Sequence, residues 1–112
     1  MIFLKTFGHI IKEARKIKRI TQRDLANKIG VDFTYISKIE TGALEPPSET
    51  VINKIAQILD IDANELFLAA KKVPSEFKNT IIKEETTANL LFRKYQYLTE
   101  DQKERIKKII EE

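Results

Sequence analysis

The chain has 112 residues, 42% of them hydrophobic and 33% charged, with a formal net charge of +3 and no cysteine. That length leaves room for one or two small domains and excludes a large enzyme core. The lack of cysteine excludes a disulfide framework, a thiolate zinc site and a thiol nucleophile, and it fits a reducing cytoplasm.

The opening stretch, MIFLKTFGHII, is apolar but broken by Lys5, Thr6 and His9. It lacks the long apolar run and small-residue cleavage site of a signal peptide. No stretch approaches the roughly 20 apolar residues of a membrane span, so a cytoplasmic protein without a membrane partner is expected. A first helix is predicted over about Thr6 to Lys18, with Phe7, Ile11 and Ala14 on its inner face and Ile10 or Ile17 at the margins. From Lys5 to Arg23 there are seven basic residues (Lys5, Lys12, Arg15, Lys16, Lys18, Arg19, Arg23) against Glu13 alone. Such a patch can neutralise phosphates and make affinity salt-sensitive, or it can be a solvated helix face.

Thr21 is a good N-cap, and Asp24 can reach back to its amide in a capping box. Leu25, Ala26 and Ile29 then fall on one face of a second helix. Gly30 stands where that helix would end in a left-handed residue. Asp32 caps a third helix, about Phe33 to Thr41, in which Ile36 and Ile39 face inward and which Gly42 ends. Phe33, Thr34, Ser37, Lys38 and Thr41 are left free to face something else. Two compact helices with one dry seam and an outward polar face make a helix-turn-helix.

The residues TQ-x-x-LA-x-x-x-G-V-x-x-x-x-IS-x-IE-x-G, from Thr21 to Gly42, resemble the phage-repressor-like (XRE or Cro/C1-type) DNA-binding family, and the likeness runs from about Phe7 to Phe67. The resemblance implies a five-helix domain whose third helix enters the major groove of double-stranded DNA. It implies that Phe33, Thr34, Ser37 and Lys38 reach base edges, that Gln22 holds a phosphate and steadies a neighbour, and that Arg15 pairs with Glu40 as an architectural bridge. Thr34 and Ser37 can donate or accept, Lys38 can donate to guanine, and Phe33 can press on thymine methyls. Tyr35 and Thr41 suit phosphate contacts. Arg23 joins the DNA-binding set, with Lys12 and Lys16 as further phosphate contacts. Two departures stand out. Arg19 occupies a place where the family usually has glycine, so it must turn left-handed or the first helix must end differently. The loop before the fourth helix offers Ala43, Leu44 and Glu45 rather than basic residues.

Pro46 and Pro47 forbid helix, and Ser48 caps a fourth one over about Glu49 to Leu59, with Val51, Ile52, Ile55, Ala56 and Leu59 inward. Asp62 and Glu65 suggest another capping box for a fifth helix, about Ala63 to Ala70, closed by Leu66 and Phe67. The expected division is residues 1–70 as the DNA-binding domain and 71–112 as a helical region, all-α throughout. In that region Phe77, Ile81 and Ile82 mark a helix from about Ser75 to Glu84. Thr86 or Thr87 is expected to cap the next, carrying Leu90, Leu91, Tyr95 and Leu98. Thr99 and Gln102 box the last, with Ile106, Ile109 and Ile110 as its apolar edge. Helices this short cannot cover those stripes alone. They pack on the first domain or on another chain, and a homodimer supplies the two-fold symmetry that paired half-sites need.

The expectation is a transcriptional regulator, a repressor binding a near-palindromic operator as a homodimer. The competing reading is an antitoxin-like or partner-controlled regulator whose C-terminal helices bind a protein, with DNA binding serving autoregulation. An enzyme is not expected. His9 is the sole histidine and has no metal-ligand pattern beside it, and neither a glycine-rich phosphate loop nor a nucleophile elbow implies a cofactor or catalysis.

Overall fold

Capping chemistry starts nearly every helix where a small polar residue precedes an apolar stripe. The protein is described from a computed structural model covering residues 6–111; Lys5, and with it the start of the basic run, lies outside the described residues. Thr6 Oγ1 accepts the amide of His9 at 3.2 Å and begins α1 (Phe7–Ile17). Thr21 and Asp24 form the reciprocal box that begins α2 (Gln22–Ile29), with bonds of 3.0 and 3.2 Å. Hydrogen bonds from Thr21, its side chain first and its backbone second, hold the Asp24 carboxyl below its ordinary value of 3.8. Asp32 begins α3 (Phe33–Thr41) and Ser48 begins α4 (Glu49–Leu59). Gly30 and Gly42 close α2 and α3 at φ of 88° and 83°, a region open to glycine because it has no Cβ.

The turn after α1 resolves the departure at Arg19. Its φ is 57°, so the arginine does turn left-handed, while Ile20 N–H donates back to Arg15 O at 3.0 Å. At α5 (Ala63–Ala69) the expected box with Glu65 does not form. Asp62 accepts the amide of Asn64 at 3.0 Å instead, and Glu65 contributes only its backbone amide, to Asp62 O. Two nearby amides compete for one short carboxylate, and the closer one wins.

All regular elements among the described residues are helical. They divide into two compact units, Met1–Pro74 and Ser75–Glu112. In the first, α1 to α5 enclose one apolar core built on Phe7, Ile11, Leu25, Ile36, Ile52, Ile55, Leu59, Leu66 and Phe67. Helix phase decides the margins of α1: Ile10 is buried at 8% exposure, whereas Ile17 is 81% exposed. Val51 is only half-buried, at the edge of the α4 stripe. Lys72 Nζ donates to Pro47 O at 2.6 Å, tying the chain after α5 to the loop after α3.

Gly8 sets how closely α1 and α3 approach. A Cβ built on it would meet the backbone carbonyl oxygens of Ile39, at 2.6 Å, and of Glu40, closer still. Neither neighbour is a flexible side chain, so the two helices would have to move apart.

The second unit holds α6 (Ser75–Lys83), α7 (Glu85–Lys94), a 3-10 turn (Tyr95–Tyr97) and α8 (Glu100–Glu111). Thr99 and Gln102 box the start of α8 with bonds of 2.9 and 3.1 Å. The cap expected of Thr86 or Thr87 is absent. Both lie inside α7, whose N-cap is Glu84 without a side-chain bond, because α6 leads into α7 with no stretch between them long enough for an extended cap. Leu98 is not on the α7 stripe either: the 3-10 turn ends the helix first and leaves Leu98 extended at φ −69°, ψ 142°.

Replacing Gly8 by alanine is expected to destabilise the protein by about 1–3 kcal/mol, the cost of forcing volume into a packed contact. Urea unfolding of the variant beside the parent measures it, and an unchanged midpoint would show that the helices yield without penalty.

Candidate nucleic-acid interface

Glu40 sits at the last turn of α3 with a side chain only 2% exposed, facing Arg15 of α1 at 12%. Its Oε2 accepts Arg15 Nε at 2.9 Å, and its Oε1 accepts Arg15 Nη2 at 3.1 Å. Gln22 Nε2, from the first turn of α2, donates to the same Oε1 at 3.0 Å. Arg15 Nη1 reaches the Ile20 carbonyl at 3.0 Å. One carboxylate thus pins α1, α2 and α3 together. A fork-to-fork pair of this kind is both charge-assisted and angularly specific. The seam beneath it is dry, made by Leu25, Ala26, Ile29, Ile36 and Ile39.

With Ile36 and Ile39 turned inward, α3 presents Thr34, Lys38 and Thr41 to solvent and Ser37 half-exposed. Thr34 Oγ1 donates to Asp32 Oδ1 at 3.3 Å, and Thr41 Oγ1 donates to Lys38 O at 3.2 Å. Both hydroxyls keep lone pairs for an incoming donor. Lys38 has a solvated ammonium and no carboxylate partner among the described residues. Phe33 differs from the open placement the sequence suggests, and Tyr35, read as suited to a phosphate contact, is partly covered with it. Both are half-buried and packed against the core, so only part of each ring is available. The Arg23 guanidinium lies over the Phe33 ring, 4.5 Å from its centroid, a cation–π contact that joins α2 to α3.

Lys12 and Lys16 are exposed on α1. Lys16, Arg19, Thr21, Gln22, Arg23 and Phe33 line one open cleft beside the turn from α1 to α2, with Arg15 and Ile20 at its base. His9 Nε2 is 3.0 Å from Glu13 Oε1, one helical turn along α1. The residues expected to serve dimerisation lie in the second unit. Leu90, Leu91, Tyr95, Ile109 and Ile110 are exposed, the last at 76%, while Leu98 and Ile106 are half-buried. Leu91, Tyr95, Ile106 and Ile110 line a groove edged by Glu100, Lys103, Glu104 and Lys107.

Sequence reasoning missed the second partner of Glu40, the stacking of Arg23 on Phe33 and the cleft around Arg19. The spacing of Gln22 and Glu40, eighteen positions apart, carries no local signal. The Arg23–Phe33 contact was open to inference only in that both residues were assigned to one interface.

A tri-helical wedge with polar side chains projecting from its second turn-linked helix is the architecture of DNA-reading helix-turn-helix proteins. The chain belongs to the XRE-type helix-turn-helix family of DNA-binding transcription regulators, whose family model, described as "Helix-turn-helix", matches residues 11–66. It is 35% identical over 72 residues to the ImmF control region 10 kDa protein of Bacillus phage phi105, an overlap of 64% of this chain and 79% of that protein. It is 31% identical to the HTH-type transcriptional regulator YqaE of Bacillus subtilis, covering 90% of this chain and 97% of that one. Among solved structures, SinR in complex with DNA matches with a TM-score of 0.52 at 34% identity, over 55% of this chain and 98% of that chain. A SinR–SinI complex matches with a TM-score of 0.54 at 28% identity, over 91% of this chain and 99% of that chain.

Removing either Arg15 or Glu40 by alanine substitution is expected to cost about 3–5 kcal/mol, because the remaining charge is left unpaired in a largely covered seam. The double variant is expected to lose less than the two single losses added together. Chemical denaturation of all four proteins tests this, and strict additivity would mean that the two charges act independently.

Proposed function

We propose that this chain is a repressor that binds a near-palindromic operator in double-stranded DNA as a homodimer, one α3 per half-site. Half-sites about 34 Å apart, or a multiple of that, would then match the protein's two-fold axis. The observation that carries this reading is the outward face of α3. Thr34, Ser37, Lys38 and Thr41 project from a helix whose angle is locked by Glu40. A helix so held fits the major groove, where every base pair shows its own donor and acceptor pattern. Lys12, Lys16 and Arg23 supply phosphate-neutralising charge beside it, and SinR, solved on DNA, supports the assignment. The regulator would work in the cytoplasm, where its operator is; among the described residues no helix is long and apolar enough to cross a membrane.

The second unit supports the dimer. It has no buried residue among those described, and Leu90, Leu91, Tyr95, Ile109 and Ile110 are left open. An apolar surface of this kind marks an interaction site. A second reading, in which those helices take a regulatory protein partner, is favoured by the SinR–SinI complex, which matches over 91% of this chain.

Lys38→Ala is expected to cost about 1–3 kcal/mol at one base position of the operator, whereas Lys12→Ala weakens binding to all sequences alike. Gel shifts over operator variants, starting from a site selected out of a random duplex pool, separate the two. Equal losses on every variant for Lys38→Ala would remove it from base reading. Truncation after Lys72 is expected to leave a folded first unit that sediments as a monomer and binds operator more weakly. A dimeric truncated protein would place the self-association elsewhere, and a full-length chain that stays monomeric until a partner protein is added would favour the second reading.

A further inference from the structure

Arg19 holds a backbone conformation that glycine takes freely and a side chain with a Cβ resists. The turn around it is closed by hydrogen bonds. Its own amide donates to Lys16 O at 3.1 Å, Ile20 N–H donates to Arg15 O, and the Ile20 carbonyl is held by the partly buried Arg15 guanidinium. Among the described residues, two other non-glycine positions share the left-handed region. Asp60 has an ion-pair partner in Lys18, at 3.7 Å, and Lys71 follows the C-cap of α5 with its amide donating to Leu68 O at 3.0 Å.

Arg19 is different in its surroundings. It lines the cleft with Lys16 and Arg23, and no carboxylate is among the residues lining that cleft. Arg15, at the base, is already neutralised by Glu40. Arg23 is stacked on Phe33, a contact that leaves its charge uncompensated. Among the described residues Arg19 makes no side-chain hydrogen bond or ion pair that would repay its conformation. The chain therefore keeps a strained backbone at a residue whose guanidinium has no partner, in a cleft that holds other cations and no carboxylate, and an anion there supplies the missing partner.

We propose that Arg19 binds a backbone phosphate of the operator, and that the arginine persists in a glycine conformation because its guanidinium is needed there. The proposal rests on the DNA-binding reading above and extends it to a residue outside the reading helix. Its location fits: Gln22 and Arg23 share the cleft, and Phe33, the first residue of α3, forms its wall. A guanidinium suits this role, since its fork matches two phosphate oxygens at once.

The test compares the full chain with Arg19→Gly and Arg19→Lys, each titrated against its selected operator and an unrelated duplex over a range of salt. Thermal unfolding is recorded in parallel. For Arg19→Gly the unfolding midpoint is expected to rise by a few degrees while affinity falls several-fold on both duplexes. The slope of log affinity against log salt should become shallower by about 0.9, the signature of one lost phosphate contact. Arg19→Lys should keep the parent slope. Should Arg19→Gly bind with the parent affinity and slope, the proposal for Arg19 is overturned while the DNA-binding reading stands. If the parent itself shows no duplex binding, both fall together.

Discussion

A single buried carboxylate decides the geometry of this protein's first unit. Glu40 takes three donors, from Arg15 on α1 and Gln22 on α2, while belonging to α3. Burying an ionised group without such partners is prohibitive, so the three helices are held in one arrangement rather than a family of them. The close passage of Gly8 under the Ile39 and Glu40 carbonyls serves the same end, letting the backbones approach until the guanidinium and carboxylate meet.

What was legible in the sequence follows the range of the forces involved. Caps at Thr21, Asp32, Ser48 and Thr99, and the left-handed stops at Gly30 and Gly42, depend on residues a few positions apart, and each is visible as a local pattern, whereas Thr6, read as the first residue of its helix, in fact caps it. The pairing of Arg15 with Glu40 spans twenty-five positions and was reachable only through resemblance to a family. Gly8 gave no sign, because a clearance between backbones belongs to the assembled fold and not to any short stretch. Phe33 was misjudged in part: an aromatic at the head of a helix can face solvent or seam, and the core claimed half of its ring while Arg23 covered a face. Thr86 and Thr87 misled because both are good caps, yet the chain runs from α6 into α7 without the extended residue a cap requires.

The two units obey different economies of surface. The first closes a core around Leu25, Ile52, Ile55 and Leu66, all at 0% exposure, and leaves Ile17 and Leu68 outside it. The second leaves Phe92, Tyr97, Ile109 and Ile110 open, and its helices are held by capping and by local turns of the chain. Small helical units gain too little from self-burial to offset their chain entropy, and a covering surface makes up the difference.

On α3 the residues that fix the helix and those that project from it are separate sets. Ile36, Ile39 and Glu40 face the seam; Thr34, Ser37, Lys38 and Thr41 do not. The outward four are therefore interchangeable in principle without disturbing what lies beneath. The scaffold is modular at that edge, where the exposed chemistry can be altered while the foundation stays untouched.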